Sequence, residues 1–309
     1  MYLIRNFENK ALELYSRGKI VGALHSYAGE EAVAVGVCAN LRDDDYVVGT
    51  HRSHGHCIAK GADPKRIMAE VMGKSTGVCK GKGGSMHVAD VSVGMLGASG
   101  IVGGGIPLAT GAGLSIKYRG TDQVSVSFFG DGASNQGTFH ESINLASVWD
   151  LPVIYVCENN QYGEGTPVSR ATRGRIVDRA IGYGIPGVAV DGMDVVAVWH
   201  ETAKAVARAR EGKGPTLMEC KTYRFEGHEI GDDWHTYRTD AEVDEWKARC
   251  PIATLRKKLI SNNVLTLREI EETEKDVKKQ IEEIVQFAEQ SPDPDTETAM
   301  RDVFVSSYI

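Results

Sequence analysis

Residues 130–160, GDGASNQGTFHESINLASVWDLPVIYVCENN, constrain the fold more than any other stretch. An apolar run, Val124 to Phe129, ends in Gly130-Asp131-Gly132. A second run, Val153 to Cys157, ends in Glu158-Asn159-Asn160, and the residues between carry a helical pattern. Strand, helix, strand predicts two parallel neighbours with both polar tips on one edge of a sheet. There Asp131 and Asn160 would grip one cation, and Gly130 and Gly132 would let a phosphate approach the backbone. Magnesium takes a near-octahedral shell of oxygens at roughly 2.0–2.1 Å and usually keeps substrate phosphates in it. One carboxylate and one amide oxygen begin such a shell. A helix starting near Ser134 would point its amide groups at the same place, which favours an anion. Each half alone also reads as an ordinary turn. The two together, each after a strand and with 26 residues between Gly132 and Asn159, are specific.

The rest of the chain extends this pattern. Helices are expected over 3–17 and 29–41, and DYVVG (45–49) reads as a strand. Residues 73–113 are rich in glycine, and their middle is expected to be loop; a helix follows over 107–118. GVAVDG (187–192) and PTLMECKTYRF (215–225) read as strands, and Asp194 caps a helix closed by Gly212. Thr266 to Glu269 is a capping box opening a helix with Leu267, Ile270, Val277, Ile281 and Ile284 on one stripe. Polar residues follow each expected strand: His51 and Arg52, Asp131, Asn160, Asp191 and His228. In open α/β sheets ligands bind beyond the carboxyl ends of the strands, so these candidates should converge. The fold expected is α/β, a mostly parallel sheet with helices on both faces. Residues 1–262 form the main domain, and 263–309 a C-terminal helix and an apolar-ended tail that packs on the domain or a partner.

Composition narrows the function. A net charge of −7 argues against nonspecific nucleic-acid binding. No run of 18 apolar residues is present to span a membrane. The six cysteines show no CxxC spacing and read as reduced small hydrophobes in a cytoplasmic chain. His51, His54 and His56 invite a zinc reading, but no cysteine or carboxylate stands at ligand spacing. GGGIPL does not fit a dinucleotide fingerprint after a strand.

The 130–160 stretch resembles the thiamin-diphosphate motif, which opens with Gly-Asp-Gly and closes on Asn-Asn. GTHRSHGH, KGKGGSMH, GIVGGGIPLATGAG and CKTYRFEGHEIGDD are together similar to the α subunits of the first component of 2-oxo acid dehydrogenase complexes. Within that family THRSHGHCIAKG, KGKGGSMHVAD and GIVGGG point towards the acetoin branch. The resemblance implies a thiamin-diphosphate fold and a cofactor held through Mg2+ by Asp131, Asn160 and the carbonyl of Tyr162. It matches Gly130, Gly132 and Ala133 to backbone contacts with the diphosphate, and Arg52 to a clamp upon it. Gly100, Ile101 and Val102 match the segment whose backbone recognises the aminopyrimidine. His228, His54 and His25 stand as catalytic candidates, and His51 as a cofactor neighbour where pyruvate-specific relatives often carry Tyr. Glu229 stands where vertebrate pyruvate relatives carry a regulatory serine, so no kinase switch is expected there.

The partners implied are a β subunit, in an assembly of two α and two β chains, and a lipoyl-bearing acyltransferase component. The small-molecule substrate is acetoin first, then pyruvate, then branched-chain 2-oxo acids. A split transketolase, a nicotinamide dehydrogenase and a noncatalytic scaffold are the competing classes.

Overall fold

The computed structural model describes residues 1–302, so the apolar end of the tail lies outside the described residues. Six strands form one parallel sheet: β1 (Tyr46–Thr50), β2 (Met95–Ser99), β3 (Ser125–Gly130), β4 (Val153–Asn159), β7 (Gly187–Asp191) and β8 (Thr216–Lys221). Their order across the sheet is β2-β1-β3-β4-β8-β7. A two-stranded antiparallel ribbon, β5 (Tyr162–Gly163) and β6 (Thr166–Pro167), stands beyond β4.

Alternation along the strands explains why helices cover both faces. On β4, Ile154 and Val156 enter one cluster with Val126, Phe128, Met218 and Cys220. Val153, Tyr155 and Cys157 enter another with Phe129, Phe139, Ile143 and Leu217. All seven residues of β4 are buried, the mark of a strand covered on both sides. The first cluster packs beneath helices α1 (Tyr2–Ser16), α2 (Glu31–Cys38), α3 (His54–Lys60), α4 (Pro64–Val71) and α8 (Val195–Arg210). The second packs beneath α5 (Gly105–Arg119) and α6 (Gly137–Val148). The short α7 (Val168–Ala171) follows the ribbon, and α9 (Asp240–Ala248), α10 (Pro251–Ser261) and α11 (Leu267–Gln290) complete the chain. On α11, Ile270, Val277, Ile281 and Ile284 are buried, and the helix packs on α4 and α1.

The chain steps from β1 outward to β2, then returns to place β3 on the other side of β1. That reversal opens a crevice at the carboxyl ends of β1 and β3, where α/β sheets bind ligands.

Several expectations need correction. The glycine-rich stretch contains β2, an edge strand whose sequence, MLGAS, has no β-branched residue; backbone pairing to β1 defines it. A 3-10 turn over Gly132–Asn135 precedes α6, so the helix starts at Gly137 rather than Ser134. Strand β8 ends at Lys221, four residues early. Asp191 lies at the tip of the outer strand β7, where Arg249 binds it at 3.0 Å, and it does not line the crevice. Leu267 is half exposed and leaves the α11 stripe.

Candidate active site

A cavity of about 340 Å³ occupies the crevice. It brings together His25, His51, Arg52, Gly100, Ile101, Val102, Gly130, Asp131, Gly132, Ala133, Asn160, Tyr162 and His228. Strand register does much of this. Gly130 pairs with Glu158 on β4, so Asp131 and Asn160 emerge from hydrogen-bonded neighbours on the same edge. An added Cβ on Gly132 would meet the Cα of Gly163 at 3.3 Å, so the turn after β3 lies directly against the ribbon.

Asp131 is 2 % exposed, and burial pushes its carboxyl up to about 6. Among the described residues no other side chain bonds that carboxylate, which suits it to a cation. Asn160 has a defined amide orientation. Its Nδ2 donates to Glu30 Oε1 at 2.7 Å, and its Oδ1 accepts from the Tyr162 amide at 3.3 Å. The Tyr162 carbonyl accepts from Arg224 Nη1 at 3.1 Å and keeps a second lone pair.

Arg52 sits in the cavity wall with its arms engaged by protein. Nη1 donates to the Ser26 carbonyl at 2.9 Å, and Nη2 to the His228 carbonyl at 2.7 Å. Nη2 also lies 3.2 Å from His228 Nδ1. Because guanidinium only donates, Nδ1 must accept, and the neutral ring carries its proton on Nε2. Arg52 thus organises His228 as well as facing the crevice.

Three histidines close one end of the cavity. The His25 and His51 ring centroids are 4.7 Å apart, His25 and His228 5.0 Å, and His51 and His228 5.4 Å. Burial, reinforced by Arg52, holds His25 at about 3, His51 at about 2 and His228 at about 4. All three are therefore neutral at physiological pH. Their facing nitrogens lie within 4.8 Å of one another. A cation there would meet the Arg52 charge and the Nε2 proton of His228, so the trio is better suited to hydrogen-bonding a substrate.

His54 does not reach the cavity and is withdrawn as a catalytic candidate. Its ring is wholly buried between Glu8 Oε1 at 3.0 Å from Nδ1 and Ser85 Oγ at 3.0 Å from Nε2. The Ser-His-acid order is that of a nucleophilic triad, but Ser85 is buried and does not line the cavity. His56 is also internal, bonding Glu158 Oε1 at 2.9 Å. The three histidines near β1 therefore share no metal.

Sequence reasoning missed Glu30, Glu158, Tyr27 and Arg224. Glu158 lies 2 % exposed at the cavity floor, holding His56 and the Tyr27 hydroxyl. Burial and the neighbouring Glu158 push Glu30 up to about 8. The signal for Glu158 was present: a lone acid terminating an apolar strand just before Asn159-Asn160.

Known proteins are similar to this chain along nearly its whole length. The α subunit of acetoin:2,6-dichlorophenolindophenol oxidoreductase from Bacillus subtilis (strain 168) is 52 % identical over 308 residues, covering 99 % of this chain and 92 % of that one. Its counterpart from Cupriavidus necator is 49 % identical with the same coverage. The chloroplastic pyruvate dehydrogenase E1 component subunit α-3 of Arabidopsis thaliana is 44 % identical, covering 98 % of this chain and 72 % of that one. The sequence model of the family described as "Dehydrogenase E1 component" matches residues 1–297, and the chain belongs to that family.

Proposed function

We propose that this chain is the α subunit of a thiamin-diphosphate-dependent acetoin dehydrogenase, which cleaves acetoin and passes the acetyl group to a lipoyl acceptor. The observation that carries the reading is the meeting of Asp131 and Asn160 at the tips of adjacent parallel strands, over a glycine turn and inside a cavity. The relatives bearing the acetoin name, at 52 % and 49 % identity, favour acetoin over the 2-oxo acids of the pyruvate relatives.

The residues fit the cofactor that the family implies. Asp131 offers a buried carboxylate that no other side chain among the described residues bonds, and Asn160 an amide oxygen of fixed orientation. These two, with the Tyr162 carbonyl, would hold Mg2+ against the diphosphate. The backbone of Gly132 and Ala133 would face the phosphates, and that of Gly100, Ile101 and Val102 the aminopyrimidine. When bound, thiamin diphosphate supplies a carbon nucleophile and electron sink for breaking a bond beside a carbonyl.

The chain itself orients and keeps protons. Neutral His228 presents Nε2–H, fixed by Arg52 at Nδ1, as a donor to a substrate oxygen. His25 and His51 add uncharged donors or acceptors beside it, a setting suited to a substrate without charge such as acetoin. Leu108 and Tyr118 on α5, and Val148 at the end of α6, expose large apolar side chains. Such exposure supports the β-subunit partner that an α subunit of this component implies.

The test reconstitutes the chain with a β subunit and follows dichlorophenolindophenol reduction with acetoin, pyruvate and a branched-chain 2-oxo acid. Acetoin should support the highest kcat/KM, and Asp131→Asn should abolish thiamin-diphosphate binding measured calorimetrically with Mg2+. Faster turnover of pyruvate reassigns the substrate. Unchanged cofactor binding by Asp131→Asn, or full activity of the chain without its partner, refutes the site.

A further inference from the structure

Glu30 is 1 % exposed, lines the cavity, and its side chain does nothing for the helix it precedes. It occupies the N-cap of α2, yet its side chain makes no cap hydrogen bond. The next residue, Glu31, satisfies the local needs instead, accepting from the Gly29 amide and pairing with Arg5. A carboxylate buried this deeply, beside the second acid Glu158, costs stability unless it serves something else.

What it touches is Asn160. The 2.7 Å bond from Asn160 Nδ2 to Glu30 Oε1 spans 130 residues of sequence. Two contacts agree on the amide's orientation: Glu30 takes the nitrogen, and the Tyr162 amide gives its proton to Oδ1. A rotation of 180° would set Nδ2 against the Tyr162 N–H, a repulsive pair, and with Glu30 ionised would also set Oδ1 against a carboxylate oxygen. Oδ1, which has a lone pair to spare, is thus kept as the atom able to take a cation. The second oxygen, Glu30 Oε2, is buried and without a donor among the described residues. Buried acceptors are seldom left so, and Mg2+ usually retains waters that donate.

We propose that Glu30 is a positioning residue for the cation site: it holds the Asn160 amide with Oδ1 available to the metal, and its free oxygen accepts from a water on that metal. The proposal rests on the metal reading of Asp131 and Asn160. Partners one bond beyond the ligands typically alter metal affinity about 10–100-fold.

The test uses the αβ assembly with thiamin diphosphate and Mn2+ in place of Mg2+, counting free Mn2+ by its electron-paramagnetic-resonance signal. Glu30→Met keeps the side-chain length and removes both oxygens; Glu30→Gln keeps one acceptor for Asn160. Glu30→Met should weaken Mn2+ binding about 10–100-fold with the Tm of the metal-free protein unchanged or raised, and Glu30→Gln should recover most of that loss. Wild-type affinity in Glu30→Met, while Asp131→Asn has lost the metal, overturns the proposal and leaves the site intact. Equal losses in both Glu30 variants with a lowered metal-free Tm assign Glu30 to packing, and also overturn it. Retention of Mn2+ by Asp131→Asn removes the metal reading itself.

Discussion

Replacing His54 by alanine separates a catalytic from an architectural histidine. The ring joins three elements: Glu8 on α1, His54 at the start of α3, and Ser85 in the glycine-rich segment. Glu8 is wholly buried; its Oε1 has only the His54 contact among the described residues, and its Oε2 has no partner. Removing one member of a buried acid–base pair costs about 3–5 kcal/mol, because the other is left uncompensated. Unfolding entropy of roughly 0.65 kcal/mol/K for a chain this long converts that into a Tm loss of about 5–8 °C. Differential scanning fluorimetry of His54→Ala reads it directly, with kcat of the reconstituted component measured well below the transition. The kcat should fall less than about tenfold, since the ring is off the cavity. Glu8→Leu in the same chain should restore part of the Tm, because no buried acid then remains. A Tm equal to wild type with kcat lowered more than a hundredfold would refute this assignment and return His54 to the chemistry.

Three more outcomes follow from the same geometry. The trio His25, His51 and His228 binds protons readily when unfolded, near 6.5, but when folded only at about 3, 2 and 4. Stability is therefore lost as pH falls through about 6.5 towards 4, while Asp131 and Glu30, held up at about 6 and 8, act in the opposite direction. The drop in Tm over that range should shrink in His25→Asn/His51→Asn; an unchanged profile contradicts the buried neutral state. Gly29 has φ +108°, and a Cβ there would stand 2.2 Å from the Tyr223 carbonyl, so Gly29→Ala should cost more than about 3 kcal/mol by chemical denaturation. A midpoint like wild type would show the contact to be wrong. Arg52→Lys, which loses the fork to the Ser26 and His228 carbonyls, should lower kcat more than it raises the KM for thiamin diphosphate. The reverse split would restore the diphosphate clamp as its main role.

The central strand-helix-strand unit was legible because its strands are continuous apolar runs ending in polar tips, a pattern that needs no distant contact to interpret. Strand β2 was not, since MLGAS carries neither alternation nor β-branched side chains and owes its state to pairing with β1. The cavity histidines were only half legible. His51 follows strand β1 and faces the crevice, whereas His54 and His56 lie on the helix beginning three residues later, which turns them into the interior. Sequence spacing does not say where that turn starts. Glu30 and Tyr27 were hidden for another reason: their partners, Asn160 and Glu158, lie more than a hundred residues away.

That separation has a consequence for how the molecule forms. The cavity floor joins Tyr27 and Glu30 to residues beyond 150, and Gly29 packs on the Tyr223 carbonyl. Contacts of such long range are slow to make, because the intervening chain must be closed first. On the ribosome the amino-terminal helices emerge early, but Glu30 waits for about half of the polypeptide before its partner Asn160 is made. The nascent subunit thus passes through an interval with an unfinished floor. Cofactor added during refolding should speed neither collapse nor early helix formation, and should act only on the last kinetic phase.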